Sequence, residues 1–351
     1  MEIKALIIFY TSSKSLVPYG TNLKKLDFIK NKRYYSHSVE HKDRVILKLK
    51  PWFVTGFSDA EASFQLVISP SITTKNGWQI RGRYEICLNY NDLPLLYSIQ
   101  SFFGGIGYIK LQPVNRAASF VVTKLEDLVN IIIPHFDTYF LRSEKVRDYF
   151  IWKTCIELIK NKAHLTKSGL EEIISLKAVL NLGLSKQLMR AFPDVSFTET
   201  KIKRDSYPLN EEPLNPDWVS GFIEGDGSFF VSTESANNRI RPGISIGLNV
   251  RDLALLKKIK EFFGDIGSIS STTANNSVIY KVFGLTQLNN IIIPHFNTYE
   301  LAGNKLANFL IWRGIVEIVL SGAHKTPEGL VKIKSMLDTL NVYKDVFNNT
   351  I

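Results

Sequence analysis

The chain of 351 residues is 45% hydrophobic and 22% charged, enough apolar material for one large core or two ordinary ones, which excludes wholesale disorder. Its 43 Lys and Arg against 33 Asp and Glu leave a net charge of +10, which points to a polyanionic partner. Cys87 and Cys155 stand in unrelated contexts and exclude a disulfide framework or thiolate metal site; no apolar run approaches the about 20 residues of a spanning helix, so a soluble protein with no membrane partner is expected.

Half of the net charge sits at the start. Residues 1–35 carry seven basic and two acidic side chains and end in Lys32-Arg33-Tyr34-Tyr35-Ser36, after which the composition changes. This leader resembles a mitochondrial presequence with a matrix-protease site, and a tail carried over from an upstream reading frame has the same features. Abundant Lys, Asn, Ile, Phe and Tyr are what AT-rich codons supply, so both readings point to the mitochondrial matrix. Residues 1–45 are therefore set apart from the folded body.

Pro51 marks a helix start, because a proline at the first helical position forfeits no hydrogen bond. The segment Val54-Thr-Gly-Phe-Ser-Asp-Ala-Glu-Ala-Ser-Phe64 places Gly56 and Ala60 on one face of that helix and Glu61 at its end. Strands over 63–69 and 79–87 follow, parted by Pro70-Ser71 and by Asn76-Gly77, a hairpin signal. Asp92 reads as the cap of an amphipathic helix carrying Leu95, Leu96, Ile99, Phe102 and Phe103 toward a core and ending at Gly104. A second hairpin and further helices complete a pattern of helix, hairpin, helix, hairpin, helices.

That pattern occurs twice. Asp92 to Gly107 and Asp252 to Gly267 are identical at ten of sixteen positions, an offset of 160. The same offset pairs Asn130-Ile-Ile-Ile-Pro-His-Phe136 with Asn290-Ile-Ile-Ile-Pro-His-Phe296, Ile151-Trp152 with Ile311-Trp312, and Ala163-His164 with Ala323-His324. Upstream the offset is 165, pairing Pro51 with Pro216 and Glu61 with Asp226, so five residues differ within the hairpin near 70–80. The boundaries drawn are 46–181 for the first unit, 182–214 for a linker and 215–345 for the second, whose helix Asn215 caps.

In the second unit the segment Val219-Ser-Gly-Phe-Ile-Glu-Gly-Asp-Gly-Ser-Phe229 repeats the small residues four apart, as Gly221 and Gly225. Missing side chains let two helix backbones approach, so the two segments are expected to pack across a pseudo-two-fold axis and bring Glu61 next to Asp226. Two crowded carboxylates repel, and divalent cations relieve this without any histidine or cysteine.

The two segments resemble the paired motifs of LAGLIDADG homing endonucleases, of the single-chain, two-repeat kind common in fungal mitochondrial introns. The resemblance covers nearly all of 50–341, including Leu180-Asn-Leu-Gly-Leu-Ser185 and Ala191-Phe-Pro-Asp194. It implies an α+β fold of two tandem pseudo-symmetric αββαββα units whose antiparallel sheets form a DNA-binding saddle. It implies a site-specific endonuclease in which Glu61 and Asp226 bind Mg2+ and direct water at the scissile phosphates. Mn2+ is expected to substitute and Ca2+ to support binding only. Ala60 and Gly225, immediately before the acids, complete the candidate metal set. Lys145 and Lys305, at equivalent repeat positions, match basic residues near the active centre that could stabilise a phosphorane. Asn89 and Asn249 are candidates for positioning water or for capping. His135, His295, His164 and His324 read as structural. An RNA-binding maturase acting on its own intron RNA is the first alternative, and a DNA-binding relic the second. The relic rests on Ala62, where the family usually has glycine: if that position is left-handed, alanine costs about 1 kcal/mol and shifts Glu61.

Strand alternation supplies the candidate DNA-reading face. In the first unit it comprises Ser63, Gln65, Ser69, Gln79, Arg81, Arg83, Glu85, Tyr108, Lys110, Gln112 and Ser119. In the second it comprises Ser228, Phe230, Ser232, Arg239, Arg241, Ser245, Ser268, Ser270, Thr272, Ser277 and Lys281, with Pro242 interrupting one strand. Such a ribbon fits the major groove of double-stranded DNA, and two units with their centre cover about 15–20 base pairs. The two faces differ in sequence, so an asymmetric target and a monomer with an internal dyad are expected.

Overall fold

The computed structural model describes residues 46–348 except Leu182, Phe197, 235–238 and 273–275, and without the side chains of Glu234, Arg239, Thr272 and 340–348. The expectations for residues 1–45, and for the side chains of Arg239 and Thr272, lie outside the described residues.

Each repeat builds one four-stranded antiparallel sheet behind one motif helix. In the first unit, α1 (Pro51–Glu61) runs directly into β1 (Ala62–Pro70), which pairs with β2 (Trp78–Asn89). Then come α2 (Leu93–Phe102), β3 (Tyr108–Gln112) and β4 (Ala117–Val122), giving the order β1-β2-β4-β3. A π turn over Leu128–Ile132 leads into α3 (Ile133–Thr138), followed by α4 (Lys145–Lys160) and α5 (Lys167–Ala178). Two helices absent from the sequence reading occupy the linker: α6 (Lys186–Ala191), capped by Ser185, and α7 (Thr198–Ser206). Their residues are short runs with little apolar periodicity, and α7 is held by Arg204, which pairs with Asp148 of α4 at 2.9 Å.

The second unit repeats the plan with α8 (Pro216–Asp226), β5 (Gly227–Glu234), β6 (Arg239–Asn249), α9 (Leu253–Phe262), β7 (Ser268–Thr272), β8 (Ser277–Val282), α10 (Ile293–Thr298), α11 (Asn304–Leu320) and α12 (Pro327–Asn348). Its order is β5-β6-β8-β7. The five-residue difference falls in the first hairpin, where residues 71–77 connect β1 to β2 and Gly77 supplies a φ of +77°. Pro242 does not break β6: it lies opposite Val231 of β5, and β8 joins on the other side only from Ile244 onward.

One face of each sheet is core. Phe64 packs against Tyr84, Phe136, Tyr149 and Trp152, and Phe229 against Phe296, Phe309 and Trp312, all at ring separations between 5.1 and 5.4 Å. Burial of such aromatics dominates the hydrophobic stabilisation of the units. Leu95, Leu96, Ile99 and Phe103, with their counterparts Leu255, Leu256, Ile259 and Phe263, are buried as their spacing predicts. Gly104 and Gly264 end α2 and α9 at φ values of +74° and +73°. Among the described residues no helix is long and apolar enough to cross a membrane.

The capping expectation for Asp92 and Asp252 is overturned. Neither side chain caps its own helix; Asn89 and Asn249 take the local amides instead, accepting from Asn91 N–H and Arg251 N–H at 3.0 and 3.1 Å. Those amides belong to the short 3-10 turns Tyr90–Asp92 and Val250–Asp252 before each helix; the aspartates stand at the N-cap positions with their side chains turned away from their own helices.

Candidate active site

The site grows from the crossing of α1 and α8. A methyl group placed on Gly56 would lie 2.0 Å from the Trp218 carbonyl oxygen, and one on Gly221 would lie 2.0 Å from that of Phe53. Backbone cannot yield to such overlap, so glycine is required at both positions for the helices to touch. One turn on, a Cβ on Gly225 would fall 2.3 Å from Ala60 Cβ and 3.4 Å from Glu61 Oε1. The crossing therefore carries one alanine against one glycine, and Glu61 lies against the opposite helix beside Asp226.

Crowding shows in the electrostatics. Burial first, then the neighbouring Glu61, pushes the Asp226 carboxyl up to about 6. Burial likewise raises Glu61, opposed by Lys305 and Lys145. Lys145 Nζ donates to the Ser58 and Ala60 carbonyls at 3.0 and 3.2 Å, and Lys305 Nζ donates to Gly225 O at 2.6 Å. Each ammonium thus sits at the carbonyl end of its own motif helix, where the helix dipole favours a cation. Burial pulls both ammoniums below the ordinary lysine range, while the surrounding carboxylates, including Glu61 and Asp226, oppose it.

Two further acids were not singled out from the sequence. Asp59 accepts from Arg142 N–H at 2.6 Å, Ser143 Oγ at 2.6 Å and the Trp218 indole at 3.0 Å; Glu224 accepts from Ala302 N–H at 3.1 Å and Lys305 N–H at 3.2 Å. They anchor the loops that deliver Lys145 and Lys305. Their signal was present: an acid at the same place in both repeats, two residues before Glu61 and Asp226.

The donor set suits a hard cation. It offers the Glu61 and Asp226 carboxylates and the Ala60 and Gly225 carbonyls, oxygen atoms only, while among the described residues no group of three or more His, Cys, Asp or Glu could hold a metal. Mg2+ accepts one or two carboxylates with water and phosphate oxygens filling its octahedron. The two carbonyls already accept from lysine, and each keeps a second lone pair. A cation between the acids would remove the repulsion that raises Asp226. A cleft of about 580 Å³ opens beside this cluster, lined by Lys145, Asp226, Asp252 and the β6–β8 end of the second sheet.

The outer sheet faces present most of the candidate DNA-reading residues together, as alternation predicts. Ser63 lies opposite Glu85, Gln65 opposite Arg83 and Ser69 opposite Gln79, with Tyr108 and Lys110 exposed on β3. This face is knitted by its own bonds: Arg83 to Glu85 at 2.8 Å, Gln65 to Ser63 at 2.7 Å, and Arg81 to Gln79. Ser119 departs from the expectation. It is fully buried, and its Oγ accepts from the Gln112 amide at 3.2 Å, so it supports Gln112 and offers no surface of its own. In the second unit Ser228 lies opposite Ser245, Phe230 opposite Gly243, Ser232 opposite Arg241, and Ser268 and Ser245 flank Lys281, with exposed Ser270 and half-buried Ser277 beyond. That face is more apolar: Arg241 lies 4.7 Å over the Phe283 ring, which Phe230 meets edge-on at 5.4 Å.

The family model described as LAGLIDADG endonuclease matches residues 54–156 and again 219–316, one copy for each unit. The chain belongs to the LAGLIDADG endonuclease family. Among its relatives are two Neurospora crassa proteins, probable intron-encoded endonucleases 2 and 3. The first is 36% identical over 86% of this chain and 67% of its own length, the second 33% identical over 83% and 54%. The chain thus spans about half to two thirds of these relatives. The structure of I-SmaMI bound to uncleaved DNA target in the presence of calcium ions superposes with a TM-score of 0.78 at 34% identity, covering 84% of this chain and 99% of that one. The I-LtrWI LAGLIDADG homing endonuclease bound to target DNA gives 0.76, also at 34% identity, covering 82% and 95%.

Against the LAGLIDADG pattern, the backbone at Ala62 is unstrained. Its φ is −81° and that of Gly227 is −79°, both extended, so no left-handed residue is needed and alanine carries no conformational cost. A methyl group on Gly227 would meet Cγ2 and the carbonyl oxygen of Ile223 at 2.5 and 2.7 Å; the residue equivalent to Ile223 is the smaller Ser58, which removes the first of these contacts at Ala62. The left-handed conformation on which the relic reading rests is absent at this position. His135 and His295 are structural, bonded to Thr55 Oγ1 and Ser220 Oγ at 3.0 and 3.1 Å inside aromatic cages. Burial pulls both down to about 4, so they are neutral.

Proposed function

We propose that the chain is a site-specific DNA endonuclease that hydrolyses one phosphodiester in each strand of a long, asymmetric duplex, working as a monomer in the mitochondrial matrix. The observation that carries this reading is the meeting of Glu61 and Asp226 at the ends of two crossing helices, flanked by Lys145 and Lys305 and set between two outward sheet faces. The relatives named as intron-encoded endonucleases support it, as do the DNA-bound structures of I-SmaMI and I-LtrWI.

When bound, Mg2+ supplies charge neutralisation at the scissile phosphate and lowers the pKa of an attacking water. Glu61 and Asp226, with the Ala60 and Gly225 carbonyls, would hold that cation; Mn2+ would replace it and Ca2+ would support binding without turnover. Lys145 and Lys305, fixed against helix carbonyls and paying no reorganisation during reaction, stabilise the charge that develops on the phosphorane oxygens. The unlike sheet faces read unlike half-sites: hydrogen-bonding groups around Arg81 and Arg83 on one side, Phe230 and Arg241 on the other.

The test is to incubate the chain with Mg2+ and the source organism's mitochondrial DNA and to map double-strand breaks, with Asp226→Asn alongside. One discrete break that Asp226→Asn abolishes is expected. No break with the parent chain, together with binding of intron RNA that Asp226→Asn leaves unchanged, overturns the proposal in favour of a splicing maturase.

A further inference from the structure

Asp92 and Asp252, left without a role in their own helices, reach across the pseudo-dyad in opposite directions. Asp252 Oδ1 accepts from the backbone N–H of Glu144 at 2.8 Å, and Asp92 Oδ1 accepts from that of Asn304 at 3.2 Å. Glu144 and Asn304 are equivalent repeat positions, each immediately before a lysine of the candidate site and each at the start of a helix, α4 or α11. The first amides of a helix have no partner within it, and a carboxylate fills that place well. Here the carboxylate comes from the other unit.

The lysine-bearing loops are therefore gripped from two sides. Asp59 and Glu224 of the same unit hold them from the motif helices. Asp252 and Asp92 hold them from the opposite unit. The backbone next to each lysine is thus fixed only when both units are in register.

We propose that Asp92 and Asp252 are positioning residues that seat the lysine of the opposite unit, Asp92 setting Lys305 and Asp252 setting Lys145, so that neither half of the centre is complete alone. The proposal deepens the endonuclease reading and rests on it for its kinetic consequence. Loosening one clamp displaces one lysine, and the two strand cuts lose their coordination.

The test uses the full chain carrying Asp92→Ala, Asp252→Ala, or the corresponding Asn changes, which keep an acceptor oxygen. Amide hydrogen exchange without DNA is read first. Asp252→Ala is expected to speed exchange at 143–146 and leave 303–306 unchanged, Asp92→Ala to do the reverse, and the Asn variants to restore protection. Unchanged protection in both segments, or equal loss in both, overturns the clamp. Cleavage of a duplex isolated with the parent chain is read second. A displacement of this kind slows single-turnover cleavage by about 10- to 100-fold, with affinity measured in Ca2+ unchanged. Nicked duplex is expected to accumulate, with opposite strands left intact in the two Ala variants. Equal slowing of both strands, or weaker binding at an unchanged rate, overturns the positioning role. If the parent chain cuts no DNA, the endonuclease reading fails and the exchange pattern alone decides the clamp. Should the Ala variants not fold, Asp92→Glu and Asp252→Glu displace the oxygen by one methylene and are read in the same way.

Discussion

Asp59 Oδ2 accepts the indole N–H of Trp218 at 3.0 Å, a bond between the motif helix of one unit and that of the other, with both side chains buried. The second unit has no equivalent, because the residue matching Trp218 in the first motif is Phe53. The pseudo-dyad is therefore broken at its centre. Trp218→Phe removes the donor and part of the fully buried indole, so the loss of a hydrogen bond to a charged group, about 1.5–3 kcal/mol, is a lower bound on the fall expected in the denaturation midpoint. An unchanged midpoint in urea titration would show that the bond contributes nothing.

The contact between Ala60 and Gly225 predicts a rescue. Gly225→Ala places a second methyl 2.3 Å from Ala60 Cβ and crowds Glu61, and overpacking of this kind costs about 1–3 kcal/mol. Cleavage should fall with stability. Adding Ala60→Gly restores the one-methyl arrangement, and both quantities should recover in the double variant. Independent, additive losses measured by thermal denaturation would contradict this contact as the cause.

Ala62→Gly is expected to leave cleavage rate unchanged, since φ at this position is already that of ordinary extended backbone. Added chain freedom lowers stability by about 0.4–1 kcal/mol at most. A several-fold gain in rate, measured on the parent target, would revive the idea that alanine here weakens the enzyme.

Stability should depend on the histidines in acid. Burial holds His135 and His295 near 4, below the ordinary 6.5, so the unfolded chain takes up protons first as pH falls. The stability they protect is fully present above about 6.5 and is lost as pH falls through about 4. Melting temperatures across this window should decline for the parent and decline less steeply for His135→Gln and His295→Gln. Parallel curves would remove the histidines from the account.

Replacing Lys145 or Lys305 with Met should lower cleavage by about 100- to 1,000-fold, the usual effect of removing one preorganised donor of positive charge at a reacting centre. Affinity for the target in Ca2+ should change little. A loss confined to affinity would assign the lysines to binding.

The repeat, the strand alternation and the small residues four apart sufficed to determine two αββαββα units, crossing motif helices and the pairing of Glu61 with Asp226, because each is written in local periodicity or in the register between repeats. The proline starts, the Asn-Gly turn and the aromatic core faces were legible for the same reason. Other features depended on contacts that no local pattern encodes. Asp92 and Asp252 carry the sequence signature of caps for their own helices, yet three-dimensional proximity gives them to the opposite unit. Ala62 stands where the motif favours glycine, yet the fold gives it an ordinary extended φ. Ser119 alternates outward but is roofed by Gln112. Asp59 and Glu224, buried in the motif helices, acquire their donors only when loops some 80 residues distant fold back on them. Sequence fixes what each segment prefers; which buried polar group meets which donor is settled by the tertiary fold, because a buried charge must be satisfied by whatever packing brings beside it.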